Sequence, residues 1–542
     1  MSTTLSAGEI VRAMIQRDIE DERGSGGRQR TEPRPSTIRN PNATAQPSRF
    51  NVRIPLKDGR LLAYNTLSGA FAIWSQEDVA LYDLALAGVL QLGDERLRDF
   101  AAAGYLVAED AETQLAQLNQ RYQSTRFDSG TLTVTIAPTS ACNFACDYCF
   151  QGLDKPNHKI SKEVQDAFIR YLASRLSQLK QLSIVWYGGE PLMGLAAIRS
   201  LSKRMLALCK KARVKYSAFI VTNGWYFTRE VAAELYSLKV NSAQITFDGP
   251  AMYHDMRRPL LTGRPTYERI VTNLREVVEQ VPIRISVRVN IDERNKDQVR
   301  ELLDDLTTRG FGGRSNFGIY FAPVESITEP CHGCSQVNMG KQAYGRMEAD
   351  LYRYAVERGL CGLPKPSLFM GNCQAVRRNG LLLAANGDLH KCWDTMHDPS
   401  LKVGTIFETE NIEAHPLFQR WMQWTPFANP VCSSCKILPI CTGFCGYKFV
   451  HPDKTRGEAG SLPCPSWKFN FNERIFLRAE KMGLVRRDEI ADEALATTIS
   501  SVGANHDVLG FELITAAAKL QSIPIVLGTP SRAEARIEAV ES

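Results

Sequence analysis

The sequence lacks the features of a membrane protein or a nucleic-acid-binding protein. Its 65 Lys and Arg stand against 59 Asp and Glu, and a net charge of +6 over 542 residues is too weak to indicate a polyanionic partner. The most apolar late stretch, residues 511–528, is interrupted by Lys519 and Pro524 and does not resemble a membrane span. The N-terminus mixes acidic with apolar residues and does not match a secretory signal. We therefore expect a cytoplasmic protein with no nucleic-acid partner and no membrane partner.

What the sequence does contain is an unusual set of cysteines in an otherwise ordinary globular composition. Hydrophobic residues make up 44% and charged residues 23%, which excludes a fully disordered, collagenous or coiled-coil chain. Of the fourteen cysteines, only Cys209 lies outside a cluster, within a helical pattern that predicts a core thiol. Because no secretory signal is present, clustered thiols favour metal or iron-sulfur ligands over disulfides.

The first 125 residues divide into an arm and a small module. Residues 21–48 are rich in Arg, Pro, Gly, Ser and Asn, so we interpret residues 1–48 as a flexible N-terminal arm. Residues 49–125 then show short strand patterns followed by two short helical patterns. This element order is loosely similar to that of peptide-recognition domains found beside peptide-modifying enzymes. A packing module that caps the next domain is the alternative.

Residues 126–330 predict a partial (β/α)6 TIM barrel, an α/β fold. Near-continuous apolar strands alternate with amphipathic helices, which indicates a parallel sheet with right-handed crossovers. In such sheets, ligands bind at the carboxyl ends of the strands. The predicted strands are residues 132–137, 182–187, 218–222, 242–247, 283–291 and 317–322.

Chemically distinctive residues follow five of these strands. The first strand is followed by a C-x3-C-x2-C loop. The second leads into a Gly-Gly-Glu segment, and polar residues end the third, fourth and fifth strands. We expect one edge of the sheet to gather all of them. They are, in order, Cys142, Cys146 and Cys149; Gly188, Gly189 and Glu190; Thr222 and Asn223; Asp248; and Asn290.

The three-cysteine loop leaves one coordination position open. A closed zinc site or a fully ligated cubane needs four protein ligands. Together with the six repeats, this spacing resembles the radical SAM superfamily, whereas a structural zinc site is the alternative. The resemblance implies a 4Fe-4S cluster whose open iron is chelated by S-adenosylmethionine. It also implies reductive cleavage to a 5'-deoxyadenosyl radical that abstracts hydrogen from the substrate, so that Cys142, Cys146 and Cys149 are the catalytic cluster ligands.

The resemblance further implies which residues contact S-adenosylmethionine. The Gly188-Gly189-Glu190 segment is expected to receive the amino group, and Tyr148 to lie beside the adenine. Arg258 resembles the arginine that pairs with the methionine carboxylate through a bidentate fork, with Arg257 as its rival. The resemblance leaves individual roles open among the ribose-facing, methionine-facing or substrate-facing positions, which are Thr222, Asn223, Asp248 and Asn290.

A second array of seven cysteines follows the predicted barrel, in the order Cys373, Cys392, Cys432, Cys435, Cys441, Cys445 and Cys464. This order resembles the SPASM domain, an extension that carries two auxiliary iron-sulfur clusters. The resemblance implies three 4Fe-4S clusters in all, while a pair of structural zinc knots is the alternative. The implied ligands of the distal auxiliary cluster are Cys432, Cys435, Cys441 and Cys464, and those of the proximal one are Cys373, Cys392 and Cys445. For the proximal cluster, Cys361 is the best candidate for a fourth ligand, and a site open to substrate is the other possibility.

Two segments of the remaining chain carry no assigned chemistry. Cys331 and Cys334 form an additional pair, for which a redox pair, a ligand reserve, a substrate-docking thiol and a bland surface pair all stay open. The predicted SPASM region covers residues 331–480. Residues 481–542 are predicted to be a helical extension, with helical patterns at residues 488–496 and 511–521.

Together these resemblances imply a radical SAM/SPASM enzyme that modifies a ribosomally made peptide or protein. The expected outcome is a carbon-carbon, carbon-oxygen or thioether crosslink, and the resemblance implies a reducing partner such as flavodoxin or ferredoxin. The first rival is formylglycine formation of the anaerobic sulfatase-maturase type. That group places an acidic residue directly after the cysteine that aligns with Cys392, whereas here Trp393 precedes Asp394. A rival of another class is a non-catalytic, peptide-binding electron carrier.

Overall fold

The computed structural model describes residues 41–152, 157–325, 328, 337–362, 373–451 and 464–496. The Cys331 and Cys334 pair, the residues before 41 and the helical pattern predicted at 511–521 lie outside this part of the chain. Within it, no helix combines the length and the apolar character that crossing a membrane requires.

The N-terminal module is a small antiparallel sheet with helices on one face. Strand order is β2-β3-β4, and β1 pairs with β5 in a separate ribbon. Trp74 packs against Tyr82 and Phe100 on the helical side, and Ser75 and Asp78 form a capping box that begins α1. The elements are β1 (Gln46–Pro47), β2 (Asn51–Pro55), β3 (Leu61–Asn65), β4 (Phe71–Trp74), α1 (Gln76–Leu86), α2 (Arg98–Ala102), β5 (Leu106–Val107) and α3 (Ala111–Arg126).

The end of the predicted arm belongs to this module. Gln46 and Pro47 pair with Val107 and Leu106, and Ala45 is buried in the module's core. The prediction of a flexible arm is therefore wrong for residues 41–48, because strand pairing and burial hold them in place.

The central domain is the predicted partial barrel. Strands β6 to β11 are parallel and lie side by side in chain order, with ends within about two to three residues of those predicted. The elements are β6 (Thr131–Ile136), α4 (Lys162–Arg175), β7 (Gln181–Trp186), α5 (Leu195–Ala212), β8 (Lys215–Thr222), α6 (Arg229–Ser237), β9 (Val240–Phe247), α7 (Ala251–Arg257), α8 (Tyr267–Gln280), β10 (Arg284–Ile291), α9 (Val299–Thr308) and β11 (Phe317–Pro323).

Side-chain periodicity explains why the helices lie against this sheet. In α8, the buried residues recur every three to four positions, from Tyr267 through Ile270 and Leu274 to Val277, which gives one apolar stripe. Along β10, Ile285, Val287 and Val289 are buried, and the alternate residues face the opposite side. Cys209 is buried in α5, which confirms the predicted core thiol.

The C-terminal region continues the barrel sheet. Strand β12 pairs in parallel with β6, and β13 and β14 extend the sheet antiparallel, which makes nine strands. The elements are α10 (Lys341–Glu357), β12 (Gly380–Leu383), β13 (Asp388–His390), β14 (Gly404–Thr405), α11 (Pro416–Gln423), α12 (Pro430–Ser433), α13 (Leu438–Cys441), α14 (Tyr447–Val450), α15 (Trp467–Lys481) and α16 (Asp492–Ala496).

Helix α15 joins the two ends of the described chain. It packs against α10, where Asn470 donates to the carbonyl of Gly345 at 2.7 Å and to the Glu348 carboxylate at 2.8 Å. Its other side covers the N-terminal sheet, with the rings of Tyr64 and Phe471 5.7 Å apart. Ile490 is buried in the same core, so the described part of the C-terminal extension contributes to this contact.

Candidate functional site

The C-x3-C-x2-C loop lies at the carboxyl edge of the sheet, directly after β6. It has no regular secondary structure and is held against the segment that follows α7. Ala145 donates its N–H to the carbonyl of Pro259 at 2.9 Å, and Phe144 forms an isolated bridge with Leu260. Cys142, Cys146 and Cys149 lie close enough for electrostatic coupling. Three soft sulfur donors therefore stand together on one loop, as a metal or iron-sulfur centre requires.

Gly188 and Gly189 let the end of β7 press against this loop. A Cβ on Gly188 would lie 2.4 Å from the carbonyl oxygen of Thr139, and one on Gly189 would lie 2.2 Å from that of Ala141. Gly188 also has φ +129, a conformation that favours glycine. The N–H of Glu190 donates to the carbonyl of Ala141 at 2.8 Å. The two glycines thus fix the position of the chain entering Cys142.

Glu190 ties the ends of two neighbouring strands together. Its fully buried carboxylate accepts hydrogen bonds from the Thr222 hydroxyl at 2.7 Å, the Asn223 N–H at 2.7 Å and the Leu192 N–H at 3.0 Å. Burial raises the pKa of Glu190 to about 7, against the lowering effect of those donors. The side chain of Asn223 then donates to Asn143 Oδ1 at 2.8 Å, which links β8 to the cysteine loop.

Arg257 and Arg258 have different surroundings. The Arg257 guanidinium is fully buried and forms a bidentate ion pair with Asp292, at 2.9 and 3.2 Å, and its Nε lies 3.7 Å from Asp248. Arg258 donates from Nη1 to the Tyr148 hydroxyl at 2.6 Å, while its buried Nε has no hydrogen-bond partner among the described residues. The Nε of Arg257 likewise has no hydrogen-bond partner among the described residues, but Arg257 is paired with two carboxylates. Arg258 has no carboxylate at ion-pair distance in the described ranges and is therefore the one available to an anionic group.

Tyr148 and Asp248 complete the polar lining beside the loop. The Tyr148 hydroxyl also accepts a hydrogen bond from Asn290 Nδ2 at 3.1 Å, and Arg257 lies over its ring at 5.1 Å from the centroid. Asp248 is fully buried, and within the described ranges neither carboxylate oxygen has a hydrogen-bond donor. An unsatisfied buried carboxylate beside a cysteine loop fits a ligand that brings hydroxyl or amino donors.

The structure thus brings all the predicted barrel-edge residues to one site. The donor set and the unsatisfied polar atoms fit an iron-sulfur cluster with a small zwitterionic ligand. Burial raises the pKa of the Cys146 thiol to about 12. A thiol of this kind stays protonated at neutral pH unless a cationic metal centre takes the thiolate.

The second array forms two separate groups. Cys373, Cys392 and Cys445 are electrostatically coupled to one another. The four predicted distal ligands instead line a cavity of about 30 Å³, which Lys468 and Leu438 also line. These four are Cys432, Cys435, Cys441 and Cys464. In the described part of the chain, no three Cys, His, Asp or Glu side chains are arranged to hold a single metal ion.

Cys361 does not join either group. Its thiol is half-buried at the end of α10, and burial raises its pKa to about 11. The charged groups that act on it are Lys481 and Arg474 from α15, and no cysteine of the described ranges is among them. The structure therefore does not bring the predicted fourth ligand to Cys373, Cys392 and Cys445.

Several site residues escaped prediction because only the fold brings them together. The rings of Tyr187 and Trp393 stack at 4.3 Å, and Phe150 stacks on Tyr187 at 6.3 Å. This aromatic row joins the residue after Cys149 to the residue after Cys392. Their positions in the sequence could have identified them, because Phe150 and Trp393 each follow a cysteine and Tyr187 follows the last residue of β7. Arg288 also faces this interior, where its Nε donates to Asn290 Oδ1 at 2.7 Å.

Comparisons with known proteins agree with this geometry. Residues 136–306 match the Radical SAM superfamily, a match that implies S-adenosylmethionine and one 4Fe-4S cluster. The chain is 33% identical over 156 residues to a serine-type anaerobic sulfatase-maturating enzyme of Bacteroides thetaiotaomicron, covering 26% of this chain and 36% of that protein. It is 26% identical over 175 residues to the enzyme of that name from Klebsiella aerogenes, covering 31% and 42%. The matches thus span less than half the length of these curated relatives.

Solved structures resemble this fold at low sequence identity. Hexahistidine-tagged anSMEcpe with bound AdoMet is 14% identical with a TM-score of 0.50, covering 67% of this chain and 97% of that one. Streptococcus suis SuiB bound to its precursor peptide SuiA is 15% identical with a TM-score of 0.45, covering 77% and 100%.

Proposed function

We propose that this chain, whose residues 136–306 form a radical SAM domain, is an enzyme that cleaves S-adenosylmethionine reductively and modifies a ribosomally made peptide or protein. One observation carries the proposal. Three cysteines that no fourth ligand completes among the described residues stand at the carboxyl edge of the barrel, beside an arginine and a carboxylate with unused hydrogen-bonding capacity. When bound, the cluster and S-adenosylmethionine supply a 5'-deoxyadenosyl radical.

The remaining work at this site falls to the chain's own residues. Arg258 is proposed to bind the methionine carboxylate, because Arg257 is already paired with Asp292. Asp248 accepts hydrogen bonds from ligand donors, and Tyr148 packs beside the adenine. The Gly188-Gly189-Glu190 segment holds the cysteine loop against the sheet and offers backbone groups to the amino group. Burial of this edge keeps water away from the reacting atoms.

The second array is proposed to hold two auxiliary 4Fe-4S clusters. The four-cysteine cavity supports the distal cluster, and the coupling of Cys373, Cys392 and Cys445 supports the proximal one. The distal group lies where the N-terminal module meets the C-terminal region, since Thr66 donates to the carbonyl of Lys436 at 2.5 Å, next to Cys435. A reducing partner such as flavodoxin or ferredoxin belongs to this proposal.

The N-terminal module is proposed to bind the peptide substrate. Strand β4 pairs with β3 on one edge, and no described strand pairs with its other edge. An open strand edge accepts an extended peptide through main-chain hydrogen bonds. The face of this sheet is already buried against α15, so the edge and not the face is the available surface.

Crosslink formation is the first candidate reaction, and formylglycine formation is the second. The names of the curated relatives and one contact favour the second. Although Trp393 intervenes in sequence, the carboxylate of Asp394 accepts a hydrogen bond from Cys392 Sγ at 3.6 Å. An acidic group therefore lies beside this cysteine after all.

The proposal is tested by anaerobic reconstitution with iron and sulfide, followed by an assay for 5'-deoxyadenosine with and without candidate peptides. Mass spectrometry of co-expressed peptides detects either product. A crosslink and the oxidation of Ser to formylglycine both remove two hydrogens, so treatment with a hydrazide separates them, because only the formylglycine aldehyde reacts. A colourless, zinc-loaded protein would contradict the cluster assignment. Formation of clusters without any 5'-deoxyadenosine would favour the electron-carrier alternative.

A further inference from the structure

Among the described residues, no fourth cysteine joins the proximal group. Cys361 is the nearest cysteine in sequence to Cys373. The charged groups that affect the pKa of its thiol are Lys481 and Arg474 on α15, and no described cysteine is among them. The distal group already has four cysteines of its own. Within the described part of the chain, a further ligand must therefore come from another residue type, or the position stays open.

Asp394 is the acidic residue that lies with these three cysteines. Its Oδ2 is 3.6 Å from Cys392 Sγ, and Cys373 and Cys445 also experience its charge. A tight turn produces this placement. The N–H and hydroxyl of Thr395 both donate to the carbonyl of Cys392, at 3.4 and 2.8 Å. The turn folds the carboxylate back beside the sulfur.

No other group in the described ranges satisfies this carboxylate. Its one side-chain hydrogen bond comes from Cys392. The neighbouring cations have other partners, since Lys448 pairs with Glu325 at 2.8 Å and Arg288 donates to Asn290 at 2.7 Å. Asp394 is half-buried, and no Lys or Arg of the described ranges forms an ion pair with it, so its carboxylate remains able to bind a metal cation. In a 4Fe-4S cluster each iron takes one protein ligand, so the three sulfurs would bind three of the irons and this carboxylate the fourth.

We propose that Asp394 supplies the fourth ligand, a carboxylate oxygen, to the proximal auxiliary cluster. The inference rests on the proposed function for the presence of that cluster. The alternative is that Asp394 takes a proton from the substrate and leaves the fourth iron position open. The two roles differ in whether a small ligand can reach that iron.

The test uses full-length protein in which Cys142, Cys146 and Cys149 are replaced by Ala, so that the two auxiliary clusters remain and no S-adenosylmethionine chemistry occurs. After anaerobic reconstitution and reduction, ¹³C-cyanide is added and pulsed EPR is used to detect carbon bound to iron.

In this background we expect no ¹³C coupling. The Asp394→Ala variant should gain the coupling or lose one cluster's share of the iron, and Asp394→Cys should reverse either effect. Asp398→Asn, a nearby acid that caps a turn through Ser400, is the matched control and should behave as the background.

Each other outcome overturns the inference. Coupling already present in the background means that the iron is open. An Asp394→Ala variant with full iron content and no coupling means that Asp394 is not a ligand, and iron loss that Asp394→Cys does not reverse means that its role is structural. Absence of any cluster in the background would also contradict the proposed auxiliary clusters, whereas the 5'-deoxyadenosine assay on the unaltered protein tests the radical SAM activity separately.

Discussion

Replacing Gly189 by Ala tests whether the close approach of β7 to the cysteine loop positions the first cluster. A Cβ at this residue would lie 2.2 Å from the carbonyl oxygen of Ala141 and 2.4 Å from that of Ser140, whereas ordinary contact begins near 3.4 Å. Because both contacts are to backbone, no side chain can rotate away. The loop would have to move by about 1.2 Å, the difference between 3.4 and 2.2 Å.

The expected cost follows from that displacement. Overpacking of this kind costs about 1–3 kcal/mol, and loss of the hydrogen bond from the Glu190 N–H adds about 1 kcal/mol. The protein should still fold, but the cysteines would be displaced. A misplacement of about 1 Å can lower a catalysed rate by about 100-fold. We therefore expect Gly189→Ala to form 5'-deoxyadenosine at least about 100-fold more slowly and to bind less iron.

The assay compares iron per chain and the 5'-deoxyadenosine rate with those of Gly340→Ala. Gly340 has φ -58 and precedes α10, and a Cβ there would meet nothing within 4 Å, so this control should be unaffected in both measurements. A Gly189→Ala variant with the iron content and rate of the unaltered protein would refute the reasoning.

Four further predictions concern charge and cluster content. Arg258→Ala should weaken S-adenosylmethionine binding by about 30-fold or more, measured by calorimetry, because a buried charge-pair partner contributes about 2–5 kcal/mol; unchanged affinity would contradict its role. Arg257→Ala should lower the free energy of unfolding by about 3 kcal/mol, since buried Asp248 loses the cation beside it and Asp292 keeps only its pairing with Arg294. The pKa of Glu190 is raised to about 7 from its ordinary value of 4.5, so the folded state holds a proton that the unfolded state loses. Stability should therefore fall by about 3 kcal/mol as pH rises from 4.5 to 7, and Glu190→Gln should flatten that slope in anaerobic urea unfolding; a slope unchanged by the substitution would exclude this group. Replacing the three loop cysteines by Ala should remove about one third of the iron, and complete loss would contradict three independent sites.

Sequence periodicity was sufficient to predict the barrel. Each strand from β6 to β11 is an apolar run long enough to be recognised, and the helices between them carry one apolar stripe. Helix α3 was not predicted, because two of its four buried side chains, Gln114 and Arg126, are polar. Arg126 is held by the carbonyls of Val376, Trp421 and Met422, far away in sequence. Local pattern carries no information about such partners.

The grouping of residues at the barrel edge could be predicted because the barrel itself could be predicted. The carboxyl ends of parallel strands lie on one edge of the sheet whatever conformation the loops adopt. The cysteine triad and the other strand-end residues could therefore be assigned to one site from the sequence. The choice between Arg257 and Arg258 could not be made, because it depends on Asp292 occupying one of them. The resemblance also offered Cys361 as the best candidate for the fourth proximal ligand, but the chain after α10 places this thiol near Lys481 and Arg474. Local sequence does not show where that segment lies.

The central claim is that this chain cleaves S-adenosylmethionine at the loop of Cys142, Cys146 and Cys149. The most direct measurement is 5'-deoxyadenosine formation by the anaerobically reconstituted, reduced protein, alongside the variant with all three cysteines replaced by Ala. The account predicts product from the unaltered protein and none from the variant, while both retain iron at the second array. No product from the iron-loaded, unaltered protein, or equal product from both, would contradict it.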